Sequence, residues 1–381
     1  MIGLDEHLRV LLPHLGRPLL SRESIGPLIA ALRPIPAALA EVLCFECRMG
    51  GAACPDFAFG ASVAGEGGVC LKGRHPQAAL PPRLLAQPNW AAIDRFISAW
   101  AEPGSILVRG ADEVWLEFDL EGALPGGVRP SFFFGVWTGQ ADPRSGLGTP
   151  PMAVLEAGLG ALTGQPMRPA HRARIRTLLE ALPPGGVLNQ VGLMLSRPEG
   201  MTRLCLSGLQ TRDVVPFLRR VGWDGSWQAL DQALGVADGF VDRVWVDLDV
   251  GDTLGPRLGV ECPVPALPPA PRWGPFLDHL VDRALCLPGE RDALLAYEGV
   301  SRPGEGPPWP RDLAVAGLLE GRPSDTYRRF LNHVKLVVDP ARSLTAKAYL
   351  FAQKTRHPRV RPAPPVTAPE GRPGPGTEAG R

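Results

Sequence analysis

The chain has 381 residues, with 40 Lys and Arg residues against 39 Asp and Glu residues. This length allows one large domain or two ordinary ones, and the balanced charge predicts no general attraction to nucleic acid or to a membrane. The hydrophobic fraction of 45% is enough for a substantial core. No secretory signal or long apolar run is evident and the seven Cys residues are scattered, so we expect a cytoplasmic protein with reduced thiols and no transmembrane span.

Residues 1–40 predict an N-terminal helical segment in two amphipathic pieces interrupted by prolines. Strand-like segments then follow in five consecutive pairs. The pairs are 42–48 with 57–63, 114–120 with 131–137, 191–196 with 202–207, 241–250 with 257–262, and the two strands within 332–351. Residues 68–72 are expected to form one more short strand beside the first pair. Segments with helical spacing separate the pairs, at 88–101, 151–163, 170–182, 211–221, 226–234, 274–285 and 289–298.

This recurring strand pair followed by helices predicts an α+β protein built of repeated ββα units. Ten antiparallel strands could close into a barrel that is surrounded by helices. We therefore predict one barrel domain over residues 41–354. Residues 355–381, rich in Pro, Gly and Arg, are expected to be a disordered tail.

Alternation along the strands separates two faces. One face is apolar, as at Val114 and Leu116, and suits contact with an outer layer of helices. The other face carries charged and aromatic side chains together, for example Trp115, Glu117 and Trp245. A sheet with one wetted face would explain the charges alone, but the mixture of aromatic rings and charges favours a lumen that binds a ligand.

Two pairs of carboxylates lie two residues apart on the same strand face. They are Glu117 with Asp119, and Asp247 with Asp249. Such a pair can hold a metal ion or supply a base with a raised pKa. The alternative is a structural pair bonded to a neighbouring cation such as Arg243.

The strand pairs, together with the Lys347-Ala348-Tyr349 element, resemble the ABBA prenyltransferases. The fold expected from this resemblance is a ten-stranded antiparallel barrel with the active site in its lumen. The Lys-x-Tyr element is similar to one in the family's indole-prenylating branch. Arg257-Leu258-Gly259 lies where an Arg-x-Lys or Arg-x-Tyr element is expected, with Gly in the third position. The resemblance covers most of residues 40–352.

The resemblance implies an enzyme that transfers a prenyl group from a prenyl diphosphate to an aromatic small molecule or a peptide side chain, as in bacterial secondary metabolism. Residues expected to hold the diphosphate are Arg203, Arg257, Lys335, Lys347 and Tyr349. A carboxylate on an early strand, Glu46 or Glu117, would be the base. Trp115 and Trp245 would shield the allyl cation. The alternative for the basic residues is a set of separate salt bridges.

Two departures from the family pattern affect this interpretation. The chain has only three Tyr residues, so Trp and Phe must replace a shield of tyrosines. Several lumen carboxylates would also oppose a bound diphosphate unless cations offset them. Asp247 and Asp249 could do so by binding Mg²⁺; otherwise the site no longer binds diphosphate. The second possibility leaves a non-catalytic accessory protein with the same barrel, binding a ligand or peptide.

Other site classes have little support. Cys44 and Cys47 have the spacing of zinc ligands, but on a strand they would point to opposite faces. The sequence lacks the nucleophile elbow of a hydrolase, a phosphate-binding P-loop and a dinucleotide fingerprint. The basic residues do not concentrate in one folded region, so no nucleic-acid partner is expected.

Overall fold

The computed structural model describes residues 2–51, 53–73, 80–119, 129–136, 150–195, 201–264, 273–320 and 323–355. Residues 356–381 of the predicted tail and Trp137 lie outside the described residues. The α-helices within the described ranges are α1 (Leu4–Leu11), α2 (Arg22–Leu32), α3 (Glu66–Leu71), α4 (Pro82–Leu85), α5 (Pro88–Ala101), α6 (Ile106–Gly110), α7 (Pro151–Thr163), α8 (Pro169–Glu180), α9 (Thr211–Val221), α10 (Trp227–Ala237), α11 (Trp273–Asp282), α12 (Pro288–Tyr297) and α13 (Arg311–Glu320).

The described strands form one antiparallel sheet. They are β1 (Val42–Arg48), β2 (Asp56–Ser62), β3 (Glu113–Phe118), β4 (Pro130–Gly135), β5 (Val187–Leu193), β6 (Thr202–Gln210), β7 (Arg243–Val250), β8 (Leu254–Pro263), β9 (Gly299–Ser301), β10 (Thr326–Val338) and β11 (Thr345–Thr355). Ten of them close into a barrel in the order β11-β1-β2-β3-β4-β5-β6-β7-β8-β10, and pairing of β10 with β11 completes the ring. Among the described strands, the short β9 pairs only with the first part of β10. The predicted α+β barrel of ten antiparallel strands is therefore confirmed.

The apolar strand face packs against the helices, as its alternation predicts. Val114, Leu116 and Phe118 of β3 are at most 1% exposed. Helix α5 presents a stripe of apolar residues at helical spacing, and the ring of its Phe96 lies 4.8 Å from that of Phe132 on β4. The main apolar core therefore lies between the barrel wall and the helices. The polar and aromatic face of the strands lines the lumen.

The N-terminal segment packs on this core. Leu4, Leu8 and Leu11 of α1 are buried. His7, also on α1, lies with its Nε2 atom 3.0 Å from the carboxylate of Asp312. These contacts attach α1 to α13 on the outside of the barrel.

One predicted strand is wrong. Residues 68–72 do not form a strand; helix α3 spans Glu66–Leu71. The Glu41 carboxylate accepts a hydrogen bond of 3.0 Å from the backbone N–H of Gly67 and so satisfies a free donor in the first turn of the helix. Side chains at Gly67 and Gly68 would lie 2.4 Å and 2.2 Å from carbonyl oxygens, which explains the two small residues. The contacts with Glu41 and with the carbonyl oxygen of Leu39 come from a distant part of the chain.

No helix among the described residues has the length and apolar character needed to cross a membrane.

Two glycines within helices provide a matched test of this packing. A Cβ atom at Gly158 on α7 would lie 2.4 Å from the buried ring of Phe134, whereas one at Gly235 on α10 would meet nothing within 4 Å. We expect Gly158→Ala to lower the free energy of unfolding by about 1–3 kcal/mol through overpacking. Gly235→Ala should instead raise it by about 0.5–1 kcal/mol, since Ala has the better helix propensity. Urea unfolding followed by Trp fluorescence measures both; equal effects would contradict the packing.

Candidate active site

The lumen of the barrel contains two adjoining cavities. We call the larger one, with a volume of about 300 Å³, the aromatic chamber. Its aromatic walls are Trp115, Phe133, Trp245, His333, Tyr349 and Phe351. The smaller one, about 40 Å³, is the charged pocket. Glu117, Arg203, Asp247 and Lys335 line both cavities, so the two cavities are neighbours within one site.

The rings of the aromatic chamber contact one another along the barrel wall. His333 stacks on Tyr349 with ring centroids 4.1 Å apart, and Trp115 lies 5.5 Å from Phe351. A Cβ atom on Gly192 would lie 2.2 Å from the ring of Phe133. Glycine on the lumen face therefore allows a large ring from a neighbouring strand to lie against the backbone. The predicted Trp115 and Trp245 both line this chamber.

The four predicted cations come from four different strands and all line the charged pocket. They are Arg203, Arg257, Lys335 and Lys347. Each also has an acidic partner. Arg203 binds Asp249 through two hydrogen bonds of 2.8 and 3.0 Å. Arg257, which is half exposed, lies 3.1 Å from Asp339.

The two lysines pair with carboxylates of other strands. Lys335 donates to Asp247 and lies 3.3 Å from Glu261, and Lys347 donates to Glu46. A Cβ atom at Gly259 would lie 2.4 Å from Cε of Lys335. The glycine in the Arg257-Leu258-Gly259 element thus leaves the space through which Lys335 reaches Asp247. The third position of this element, where the resemblance predicts Lys or Tyr, therefore has no room for a side chain.

Glu46 is held in its ionised form. Its carboxylate accepts hydrogen bonds from Lys347 and from the hydroxyl of Tyr349. Burial alone would raise the pKa of Glu46, but the charges of Lys347 and Lys335 with these hydrogen bonds lower the pKa to about 2. A carboxylate with so low a pKa is a weak base, and its evident action is to fix Lys347 and Tyr349.

Glu117 has the opposite environment. Burial and the neighbouring charges of Glu46 and Asp119 raise its pKa to about 7, although Arg203 and Lys347 oppose the shift. A base is most effective when its pKa is near the working pH. Glu117 also lies where the aromatic chamber meets the charged pocket. Of the two predicted base candidates, Glu117 therefore has the more suitable pKa and the more suitable position for a base.

Several lining residues were not predicted as site residues. Glu113 lines the chamber, and its carboxylate accepts a hydrogen bond of 2.8 Å from Gln190. Glu261, on β8, has a pKa raised to about 8 by burial and by Asp247. The sequence feature that could have placed Glu113 in the lumen is its position two residues before Trp115, on the same strand face. Cys205, two residues after Arg203, follows the same rule.

The predicted metal ligands are engaged by the protein itself. Asp249 binds Arg203, and one oxygen of Asp247 accepts from Lys335. Across the described residues, there is no group of three or more His, Cys, Asp or Glu side chains placed to hold a metal ion. A metal at Asp247 and Asp249 stays a prediction. Of the two cysteines with zinc spacing, Cys44 lines the chamber and Cys47 belongs to the apolar core.

Three solved structures share this architecture. Apo PriB, a prenyltransferase, matches with a TM-score of 0.53 and 12% identity, over 93% of this chain and 98% of that chain. PriB in ternary complex with L-tryptophan and dimethylallyl thiolodiphosphate gives 0.50 and 12%, over 93% and 98%. The 5-dimethylallyl tryptophan synthase of Streptomyces coelicolor, in complex with DMASPP and Trp, gives 0.50 and 16%, over 94% and 97%. The fold is that of the ABBA prenyltransferases. No protein-family model and no curated protein matches the sequence.

Charge burial in the ABBA barrel predicts an unusual pH dependence of stability. The pKa of Glu117 is raised from an ordinary value of 4.5 to about 7, so the folded state keeps a proton that the unfolded state has released. The contribution of Glu117 to the free energy of unfolding should therefore fall as the pH rises from about 5 to about 8.

The variant Glu117→Gln should lose less stability over this pH interval than the wild type, with a difference on the order of 1–3 kcal/mol. Urea unfolding at both pH values measures it. Glu156→Gln, which alters a surface ion pair with Arg172, is the control and should behave as the wild type. The same loss of stability in wild type and Glu117→Gln would show that Glu117 titrates normally.

Proposed function

We propose that the protein is a prenyltransferase, which transfers a prenyl group from a prenyl diphosphate to an aromatic small molecule or a peptide side chain. The observation that carries the proposal is the convergence of Arg203, Arg257, Lys335 and Lys347 on one pocket beside an aromatic chamber. Phosphate oxygens need several converging cations, and an allyl cation needs aromatic faces. The solved structures with a similar fold that hold DMASPP or dimethylallyl thiolodiphosphate with tryptophan support the same assignment.

Diphosphate binding would proceed by exchange of partners. The charged pocket, about 40 Å³, has room for roughly three water molecules. A diphosphate therefore fits only if side chains move. The side chains that would move are the carboxylates now paired with Arg203 and Lys347. Phosphate oxygens would replace carboxylate oxygens at the same donors. Tyr349, which bonds to Glu46, would offer its hydroxyl as a further donor.

The chemistry then uses both cavities. The C–O bond between the prenyl group and the diphosphate breaks, and both bonding electrons leave with the diphosphate. The rings of Trp115 and Trp245 face the resulting allyl cation. The acceptor attacks this cation to form the new bond, and Glu117 in its carboxylate form takes the proton that the acceptor loses.

A second candidate function is a non-catalytic protein of the same architecture that binds a ligand or a peptide in the lumen. The observation that favours it is the pairing of all four cations with carboxylates. A cytoplasmic location, a part in secondary metabolism and assistance by Mg²⁺ at Asp247 and Asp249 stay predictions.

Binding of dimethylallyl thiolodiphosphate, measured by calorimetry with and without Mg²⁺, tests the clamp. We expect binding by the wild type and a loss of about tenfold to a hundredfold in Lys347→Met, because a charge-assisted hydrogen bond contributes about 1.5–3 kcal/mol. Arg172→Gln removes a cation from the surface of α8 and should bind as the wild type. Thermal unfolding of each variant shows whether it is folded.

Absence of binding to the folded wild type, with this or a longer prenyl analogue, would reject the transferase and favour the binding protein. Dependence on Mg²⁺ that disappears in Asp249→Asn would support a metal beside Asp249. Binding that is insensitive to Mg²⁺ would remove the metal from the proposal.

Turnover tests the base. With dimethylallyl diphosphate and tryptophan or a tryptophan-containing peptide, Glu117→Gln should lower kcat by about 10²–10⁴-fold and leave thiolodiphosphate binding in place. The wild-type kcat/KM should rise with pH through about 7, since only the carboxylate accepts a proton. Product analysis by liquid chromatography follows both. Unchanged kcat in Glu117→Gln would exclude Glu117 as the base, with Glu156→Gln as the surface control.

A further inference from the structure

We infer that the acceptor bound in the aromatic chamber carries a positive charge, either a protonated amine or a guanidinium group. This inference rests on the proposed function, because it names the class of acceptor for the same site. It follows from the charges that line the chamber, from one buried acceptor atom that has no partner in the described part of the chain, and from the aromatic walls.

Among the described residues, acidic side chains outnumber basic ones in the lining of the chamber. Its charged lining consists of Glu113, Glu117, Asp247 and Glu261 against Arg203 and Lys335. Arg203 is already bound by Asp249, which lies outside the chamber in the charged pocket, and Lys335 is shared by Asp247 and Glu261. Among the described residues, Glu113 and Glu117 therefore have no cation of their own.

The histidine in the wall does not restore the balance. Burial and the charge of Lys335 lower the pKa of His333 to about 3, so the ring is neutral near pH 7. The chamber thus keeps an excess of acidic groups in a buried space. Burial and the neighbouring carboxylates raise the pKa of Glu117 to about 7 and that of Glu261 to about 8, so these groups hold protons in the empty site. A cationic ligand would favour their ionised forms and bind to them.

A second observation points to a ligand that donates hydrogen bonds. Asp247 is only 4% exposed and lines the chamber. Its Oδ2 atom accepts from Lys335, but its Oδ1 atom is buried without a hydrogen-bond partner in the described part of the protein. An N–H group of an ammonium or guanidinium would satisfy this oxygen and its charge together.

The aromatic walls fit the same ligand class. Trp115 and Trp245 lie on the chamber surface, and Lys335 already sits 5.8 Å from the ring centroid of Tyr349. Aromatic faces attract cations by their quadrupole, most strongly where water is excluded. Carboxylates and indole faces in one chamber therefore favour a cation over a neutral molecule of equal size, and disfavour an anion.

The diphosphate would strengthen this preference. When phosphate oxygens take Arg203, Lys335 and Lys347, the carboxylates of Asp249, Asp247 and Glu46 lose their present cations. A positive acceptor next to Asp247 offsets part of that loss. Binding of the diphosphate and of the cation should consequently favour each other, and by the same factor in both directions.

The test compares probes that differ in charge and little else. Tryptamine is compared with its neutral counterpart tryptophol and with anionic indole-3-acetate. Nα-acetylarginine amide is compared with the neutral, nearly isosteric Nα-acetylcitrulline amide. Calorimetry or Trp fluorescence gives Kd for each, with and without dimethylallyl thiolodiphosphate.

We expect at least one cationic probe to bind about tenfold or more tightly than its neutral counterpart, as expected for a desolvated cation–π and carboxylate contact. A preference for tryptamine indicates an amine, and a preference for the arginine amide indicates a guanidinium. Glu113→Gln and Glu261→Gln should each reduce the preference several-fold, and Glu156→Gln should keep it. If Glu113→Gln does not fold, Glu261→Gln alone tests whether the acids of the chamber cause the preference for cations.

Equal binding of charged and neutral probes, tighter binding of indole-3-acetate, or no binding of any cationic probe would overturn the inference. These results differ from failure of the proposed function. Thiolodiphosphate binding without a preference for cations rejects the cationic acceptor alone. A preference for cations without thiolodiphosphate binding rejects the prenyltransferase and keeps the cation site.

Discussion

The pairing of buried charges is the constraint on which the lumen depends. Charged side chains in a low-dielectric interior must have partners, and removal of one partner leaves an uncompensated charge that costs several kcal/mol. Arg203, Lys335 and Lys347 each meet this requirement through a carboxylate on another strand. Long Arg and Lys side chains can adopt several rotamers, and these ion pairs restrict them to one position.

Closure of the barrel and assembly of the site are the same structural event. The hairpin of β10 and β11 carries Lys335, Lys347 and Tyr349, and it joins β8 on one side and β1 on the other. Lys347 and Tyr349 reach Glu46 across the β1–β11 seam, over more than 300 residues of sequence. A sheet left open between β1 and β11 would separate Glu46 from both donors, so this part of the charged pocket depends on that pairing.

Much of this architecture could be predicted from local pattern, because strand side chains alternate with a period of two and strands that follow one another in the chain pair with each other. Alternation placed Trp115, Glu117 and Lys335 on the lumen face, where the structure has them. The ion-pair partners could not be predicted in this way, since they depend on which strands become neighbours. Helix α3 was mistaken for a strand for a similar reason: its first turn depends on Glu41, far from it in the chain.

The roles of the two base candidates could not be separated from sequence either. Glu46 and Glu117 are both glutamates on early strands with alternating neighbours. Their pKa values diverge, to about 2 and about 7, because Lys347 and Tyr349 bind one carboxylate, whereas the other lies buried beside that same negative charge. Residue type and spacing are equal in the two cases, and only the three-dimensional surroundings distinguish a charge partner from a base.

The carboxylates paired with Arg and Lys in the lumen occupy positions that the phosphate oxygens of a ligand would take. A carboxylate and a phosphate oxygen make similar hydrogen bonds to Arg and Lys, so exchange of one for the other keeps the donors satisfied. The displaced carboxylates then need new cations, and Asp247 faces the aromatic chamber with one oxygen that has no partner among the described residues. A lumen rich in acids is therefore compatible with diphosphate binding when positive charge enters from the chamber side. The same excess of acid that argues against diphosphate binding alone thus argues for a second, cationic ligand beside it.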